Sequence, residues 1–157
     1  MMVGSLRWAP GMCMAPPMTM SKAPPETPHA KKLYHLLVKD PDAYADAAQQ
    51  SQPVGQVIVK QSFKAEEVKN STDENRADAV RGRDGKLYMP GEAADLFVMF
   101  KVDSGRSGTD DGWVYGTLAP GEERATSAGR VASCMECHQN AKPDRVFGVK
   151  GLKSSGE

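Results

Sequence analysis

Near the C-terminal end of the chain two cysteines stand three residues apart, with a histidine directly after the second: Cys134-Met135-Glu136-Cys137-His138. On a helical turn, residues i and i+3 share one face, so both thiols can reach the two vinyl groups of one porphyrin. His138 follows where its imidazole can meet the iron as proximal ligand. This is the attachment pattern of c-type haem. It requires a helical turn at 134–138 and one haem c held by two thioether bonds, retained even where the pocket is open on its other side. A Cys-x-x-Cys pair also occurs as a redox disulfide or as half of a zinc site. The first usually comes with a thioredoxin-like βαβ pattern, which is not visible around these residues. The second needs a fourth ligand, and its candidates, Cys13, His29 and His35, lie far upstream without a second knuckle.

A chain of 157 residues is long enough for one domain with a real core. Its 20 basic and 20 acidic residues cancel, so neither nucleic acid nor an anionic membrane surface is an expected partner. No stretch approaches a transmembrane span. Haem c is attached outside the cytoplasm in bacteria, so a periplasmic location is expected. The opening residues nevertheless lack the continuous apolar region of a signal peptide. A misplaced start, a trimmed signal or a degraded lipoprotein signal ending at Cys13 each account for this. Residues 1–28, rich in Pro, Met and small side chains, read as a flexible leader. Residues 29–150 form the expected folded domain, and 151–157 a frayed tail.

Within the domain, Lys32-Leu33-Tyr34-His35-Leu36-Leu37-Val38 is a β-prone run. Asp40 is placed to cap a short helix with Pro41 at its first position, running through Ala43 to Ala48. Residues 56–63 alternate as a strand: Val57, Val59 and Gln61 share one face, and Ile58, Lys60 and Ser62 share the other. The polar stretch from Lys64 to about Asp84 has no sustained period and is expected to be a long functional or mobile loop. Residues 96–102 are apolar on both faces and predict a central strand. Residues 113–118 give a further strand after a Gly- and Asp-rich loop, and 144–149 a short final one. The pattern is α+β: an antiparallel sheet with a short N-terminal helix and a C-terminal haem-attachment helix.

From about His29 to Val149 the chain resembles the cytochrome P-460 family, which includes the cytochromes c′-beta. The resemblance lies in Asp40-Pro41-Asp42-Ala43-Tyr44, in Gly55 before Val57-Ile58-Val59-Lys60, and in Gly112-Trp113-Val114-Tyr115. It closes with the Cys-x-x-Cys-His helix followed by Asn140-Ala141-Lys142 and Asp144-Arg145-Val146-Phe147. The resemblance implies a homodimer whose antiparallel sheet supports one five-coordinate c-type haem. In its hydroxylamine-oxidising members a lysine bonds covalently to the porphyrin edge, and that lysine corresponds to Lys60. On residue pattern alone Lys60 also reads as a surface lysine on a half-exposed strand. The family usually follows its lysine with glutamate, and Gln61 stands here. The cytochromes c′-beta have the same framework without the extra bond and bind nitric oxide under a phenylalanine cap, for which Phe63, Phe97 and Phe100 are candidates.

Oxidation of hydroxylamine calls for a group that takes protons as electrons leave. Glu122 and Glu123, in the loop before the haem helix, are the expected acceptors, with Asp110 and Asp111 as further possibilities; all four also read as solvated loop acids. The leading expectation is a mono-haem oxidoreductase acting on a small nitrogen compound. His138 would ligate the iron, Cys134 and Cys137 would anchor the porphyrin, Lys60 would modify or border it, and a soluble protein would receive the electrons. The alternatives are a nitric-oxide carrier or scavenger without turnover, or a six-coordinate electron carrier with Met99 or Met135 as sixth ligand.

Overall fold

The structure, a computed structural model, describes residues 18–24, 26–27, 29–69 and 79–148. The apolar runs pair into one antiparallel seven-stranded sheet. Its strands are β1 (Thr19–Met20), β2 (Lys32–Val38), β3 (Val57–Glu67), β4 (Val80–Arg81), β5 (Leu87–Lys101), β6 (Trp113–Leu118) and β7 (Ser127–Gly129). They are ordered β1-β2-β3-β5-β6-β7, with β4 also paired to β5. Helix α1 (Pro41–Ala45) joins β2 to β3, and α2 (Ala132–His138) follows β7. The architecture is the expected α+β arrangement on an antiparallel sheet, and the doubly apolar strand is central.

Residues directly opposite one another on paired strands share a face. The register Leu36↔Lys60↔Phe97↔Thr117 and Val38↔Ile58↔Met99↔Tyr115 therefore defines one side of the sheet. The core lies there: Val38, Ile58, Met99, Trp113 and Tyr115 pack with Tyr44 and Ala47 from the α1 region and with Val146. Cys134 and Met135 of α2 rest against the same cluster. The other side carries Leu37, Val57, Val59, Val98 and Val114, all half-buried, and Phe100, 41% exposed. Gln61, paired with His35 and Leu96, also points to this second side.

Local chemistry explains the connections. The Asp40 side chain accepts from the Ala43 amide at 3.0 Å with Pro41 at the first helical position, the expected cap. Gly112 turns the chain into β6 at φ +85°, and a Cβ there would lie 2.6 Å from the Val102 carbonyl oxygen. Glycine is therefore required by both conformation and space.

Several expectations change, beginning with α1, which ends at Ala45 rather than Ala48. Strand β3 continues to Glu67 rather than stopping at Phe63, and β5 begins at Leu87 rather than Leu96. The two pair well beyond the apolar segment, with register shifts near Phe63, and Lys64–Glu92 is a charge pair between these arms. The charged stretch is thus partly ladder; its residues 70–78 lie outside the described residues. Thr19–Met20, within the stretch read as leader, pairs with Leu33 and Tyr34. A short strand, β7, forms just before α2 and pairs with β6. No strand forms over 144–148, because the side chains there are drawn into buried polar bonds instead of a ladder.

Candidate haem site

Helix α2 places Cys134 and Cys137 one turn apart, with both thiols free. Cys134 is half-buried against the core, and burial raises its thiol pKa; Cys137 is exposed. His138 ends the helix with its ring between Tyr115 (centroids 5.6 Å apart) and Phe147 (5.2 Å). Its Nδ1 lies 2.7 Å from the Arg145 carbonyl oxygen. That carbonyl can only accept, so Nδ1 carries the proton and Nε2 keeps its lone pair for a metal. Burial lowers the His138 pKa, an effect that the Arg145 hydrogen bond partly opposes. The net shift favours the neutral ring, the form that can ligate a metal.

Below the ring, Arg145 forms a fork with Asp110, Nε to Oδ2 at 3.0 Å and Nη2 to Oδ1 at 3.1 Å, and Tyr115 Oη donates to the same Oδ2 at 2.8 Å. Burial acts to raise the Asp110 pKa, but the bonds from Arg145 and Tyr115 outweigh it and hold the carboxyl below its ordinary value. Deeper still, Lys101 and Asp144, 3% and 4% exposed at their side chains, pair at 2.7 Å. Asp144 also accepts from Trp113 Nε1 at 3.1 Å and from the Gln52 amide at 2.7 Å. Every polar group of this buried set has a partner, which is what makes its burial tolerable.

Lys60 stands on the same sheet face. Its Nζ lies over the Tyr34 ring, 4.3 Å from the centroid, and among the described residues no carboxylate pairs with it. Burial, followed by the charge of Lys32, lowers its pKa to about 8. Above Phe97, the cross-strand partner of Lys60, the His29 ring packs edge-on with centroids 4.4 Å apart. Burial lowers the His29 pKa to about 4, with the charges of Lys60, Lys32 and His138 adding to the effect. Its Nδ1 and the Ser62 Oγ are buried without a partner among the described residues. Phe97 and Tyr115 occupy diagonal positions on one face, so His29 and His138 stand over neighbouring parts of it.

The structure therefore brings Cys134, Cys137, His138 and Lys60 to one side of the sheet. It does not bring Glu122 and Glu123 there. Both are exposed, and Glu122 borders a shallow cleft with Gln61, Leu96 and Leu118, which belong to the second face. Asp110 is committed to Arg145, and Asp111 is exposed. Of the three phenylalanines only Phe97 lies on the Lys60 face; Phe63 and Phe100 face the other way. Met99 is 8% exposed within the core, and Met135 packs on the same cluster. Sequence reasoning considered His29 only as a zinc ligand, and gave Arg145 no role beyond the family motif. The local signal for Arg145 was its place in the Asp144-Arg145-Val146-Phe147 run behind the cysteine motif.

These features fit a c-type haem: two unpaired thiols a turn apart, an imidazole with its iron-binding nitrogen left open, and buried polar atoms awaiting partners on the facing surface. Among the described residues no group of three or more His, Cys, Asp or Glu side chains is arranged to hold a metal ion directly. His29 and His35, two of the proposed zinc ligands, instead pack on Phe97 and Phe63, and Cys13 lies outside the described residues. No helix among the described residues is long and apolar enough to cross a membrane. No curated protein matches the chain. The family profile described as Cytochrome P460 does match it, over residues 17–148. With most of its length covered by that match, the chain belongs to the cytochrome P460 family and is a c-type haem cytochrome.

Proposed function

We propose that this cytochrome carries one haem on Cys134 and Cys137, with His138 as its proximal ligand and the opposite iron face open, and that it oxidises a small nitrogen compound of the hydroxylamine class. When bound, the haem supplies the redox centre that accepts electrons from the substrate. The chain's own residues do the rest. His138 offers Nε2 while Arg145 keeps its proton on Nδ1. Lys60 is the observation that carries the proposal. An amine with a pKa near 8 and, among the described residues, no acidic partner is available in neutral form at modestly alkaline pH. Joining it to a porphyrin edge carbon would replace one N–H and one C–H bond and would need an external two-electron oxidant, such as a peroxide, to take the electrons released with the two protons. Protons leaving the substrate need an acceptor. Glu122 and Glu123 are the acceptors expected from the sequence, but His29 is better placed, its ring lying on the Lys60 face with a buried Nδ1 that has no partner among the described residues.

The protein is further proposed to be exported to the periplasm, where haem c is attached, and to pass electrons singly to a soluble redox protein. The second face, with Val57, Val59, Val98 and Phe100, is the surface that a second copy would cover in a homodimer. A nitric-oxide-binding role of the c′-beta type is the second reading, favoured by Phe97 on the Lys60 face and by Gln61 in place of the usual glutamate.

The ferrous absorption spectrum separates the two. A Soret band far to the red of ordinary haem c, lost in Lys60→Met, supports the cross-linked oxidase. An ordinary five-coordinate spectrum that changes with nitric oxide, with no oxidation of hydroxylamine, moves the assignment to the gas-binding protein.

A further inference from the structure

The Arg145 carbonyl that accepts the hydrogen bond from His138 Nδ1–H belongs to a residue with φ +61°, in the left-handed region that side chains with a Cβ rarely adopt. A glycine would be the ordinary choice there. The chain has an arginine, and its side chain turns back to grip the Asp110 carboxylate with two parallel bonds, at 3.0 and 3.1 Å. Such a fork fixes direction as well as distance, which a lysine could not do. Asp110 is itself fixed. It is 7% exposed, takes a third bond from Tyr115 Oη, and its backbone exchanges bonds with Trp113 at 2.9 and 3.0 Å. The Arg145 amide is tied to the Ala141 carbonyl at 2.8 Å, and Asp144 and Val146 on either side are each 3% exposed. The circuit closes through Tyr115, whose ring packs on the imidazole and whose hydroxyl holds the carboxylate.

We propose that Asp110 and Arg145 are positioning residues for the proximal ligand: their ion pair holds the Arg145 backbone in the conformation that aims its carbonyl at His138 Nδ1, and so sets how strongly that imidazole donates to the iron. The inference rests on His138 being the iron ligand. An acceptor fixed at 2.7 Å draws the Nδ1 proton away from the ring and makes Nε2 a stronger donor. A stronger donor favours the ferric state and stiffens the iron–histidine bond. The charges of the pair largely cancel, so the effect travels through the backbone carbonyl and not through a net field at the haem.

The test uses the full chain with its haem attached. Resonance Raman of the ferrous protein reads the iron–histidine stretch, and a redox titration reads the midpoint potential. Asp110→Asn keeps the size of the side chain but breaks the ionic fork. At unchanged haem content it should lower the stretching frequency and shift the ferric/ferrous equilibrium about tenfold toward ferrous, a rise of about 59 mV for one electron. Tyr115→Phe keeps the ring on His138 and removes one bond to Asp110, so it should shift both readouts the same way by less. Wild-type values of both readouts in haem-loaded Asp110→Asn would overturn the proposal. If that variant does not fold, wild-type values in Tyr115→Phe would do so. A wild-type chain that matures without covalent haem would instead defeat the haem assignment itself, a result read directly from haem content.

Discussion

The two parts of the sheet face that carries His138 and Lys60 are built on opposite rules. Under His138, every buried polar group has found a partner: Lys101 with Asp144, Asp144 with Trp113 and Gln52, Arg145 with Asp110, Asp110 with Tyr115. Around Lys60 the polar groups are left unspent. Lys60 has an aromatic ring but no carboxylate, and His29 Nδ1 and Ser62 Oγ have no partner among the described residues. A satisfied network fixes geometry, whereas unsatisfied groups cost stability and are retained where something else is to meet them. In the proposed function the first region would be a mounting and the second a working surface.

Removing the mounting should have the largest effects. His138→Ala is expected to abolish normal iron ligation, seen as loss of the wild-type ferrous spectrum; an unchanged spectrum would end the assignment. Asp144→Ala leaves the Lys101 ammonium buried without its partner and should destabilise the fold by about 3–5 kcal/mol in chemical denaturation. Lys60→Met breaks the symmetry of the comparison: it removes an unpartnered cation from the working surface, so stability should hold or rise while any red-shifted Soret band disappears. A loss as large as that of Asp144→Ala would mean that Lys60 is structural. For His29→Gln the expected outcome is a fall in hydroxylamine turnover of about 10²-fold with unfolding midpoint unchanged. Unaltered turnover in that variant, with a loss in Glu122→Gln, would return the proton-accepting role to the loop.

The smallest effect is on pH dependence. His29 ordinarily titrates near 6.5 but in the folded chain near 4, so between those values the unfolded chain binds more protons. Stability should therefore fall as pH drops through that window, and His29→Gln should flatten the slope. Lys60 acts in the same sense at the alkaline end: the folded chain releases its proton near 8 and the unfolded chain near 10.5, so stability should rise across that interval. A Lys60 already bonded to porphyrin would not contribute that rise.

Much of the framework is legible in local pattern. The Asp40 cap, the strand over 113–118 and the helical turn at the cysteines each depend on neighbouring residues and could be read from them. The extended arms of β3 and β5 could not, because their ladder is stabilised across the strands, by backbone pairing and by contacts such as Lys64–Glu92 at 2.6 Å, without an apolar period. The segment 144–148 has the composition of a strand, but its fate is decided by Lys101, Trp113 and Asp110, all distant in sequence. For the same reason Asp110 reads as one more loop acid until Arg145 arrives beside it. The candidate cofactor ligands are readable because the proposed covalent attachment needs a fixed local spacing; the groups bonded around them obey no spacing rule.

The bond from the Gln52 amide to Asp144 joins positions 92 residues apart. Closing a loop of that length is entropically costly and cannot begin until nearly the whole domain has been made. Docking of the segment behind the haem helix is thus a late event in the life of the chain. On the proposed haem attachment, the two thiols and the imidazole would be open to modification until that segment docks.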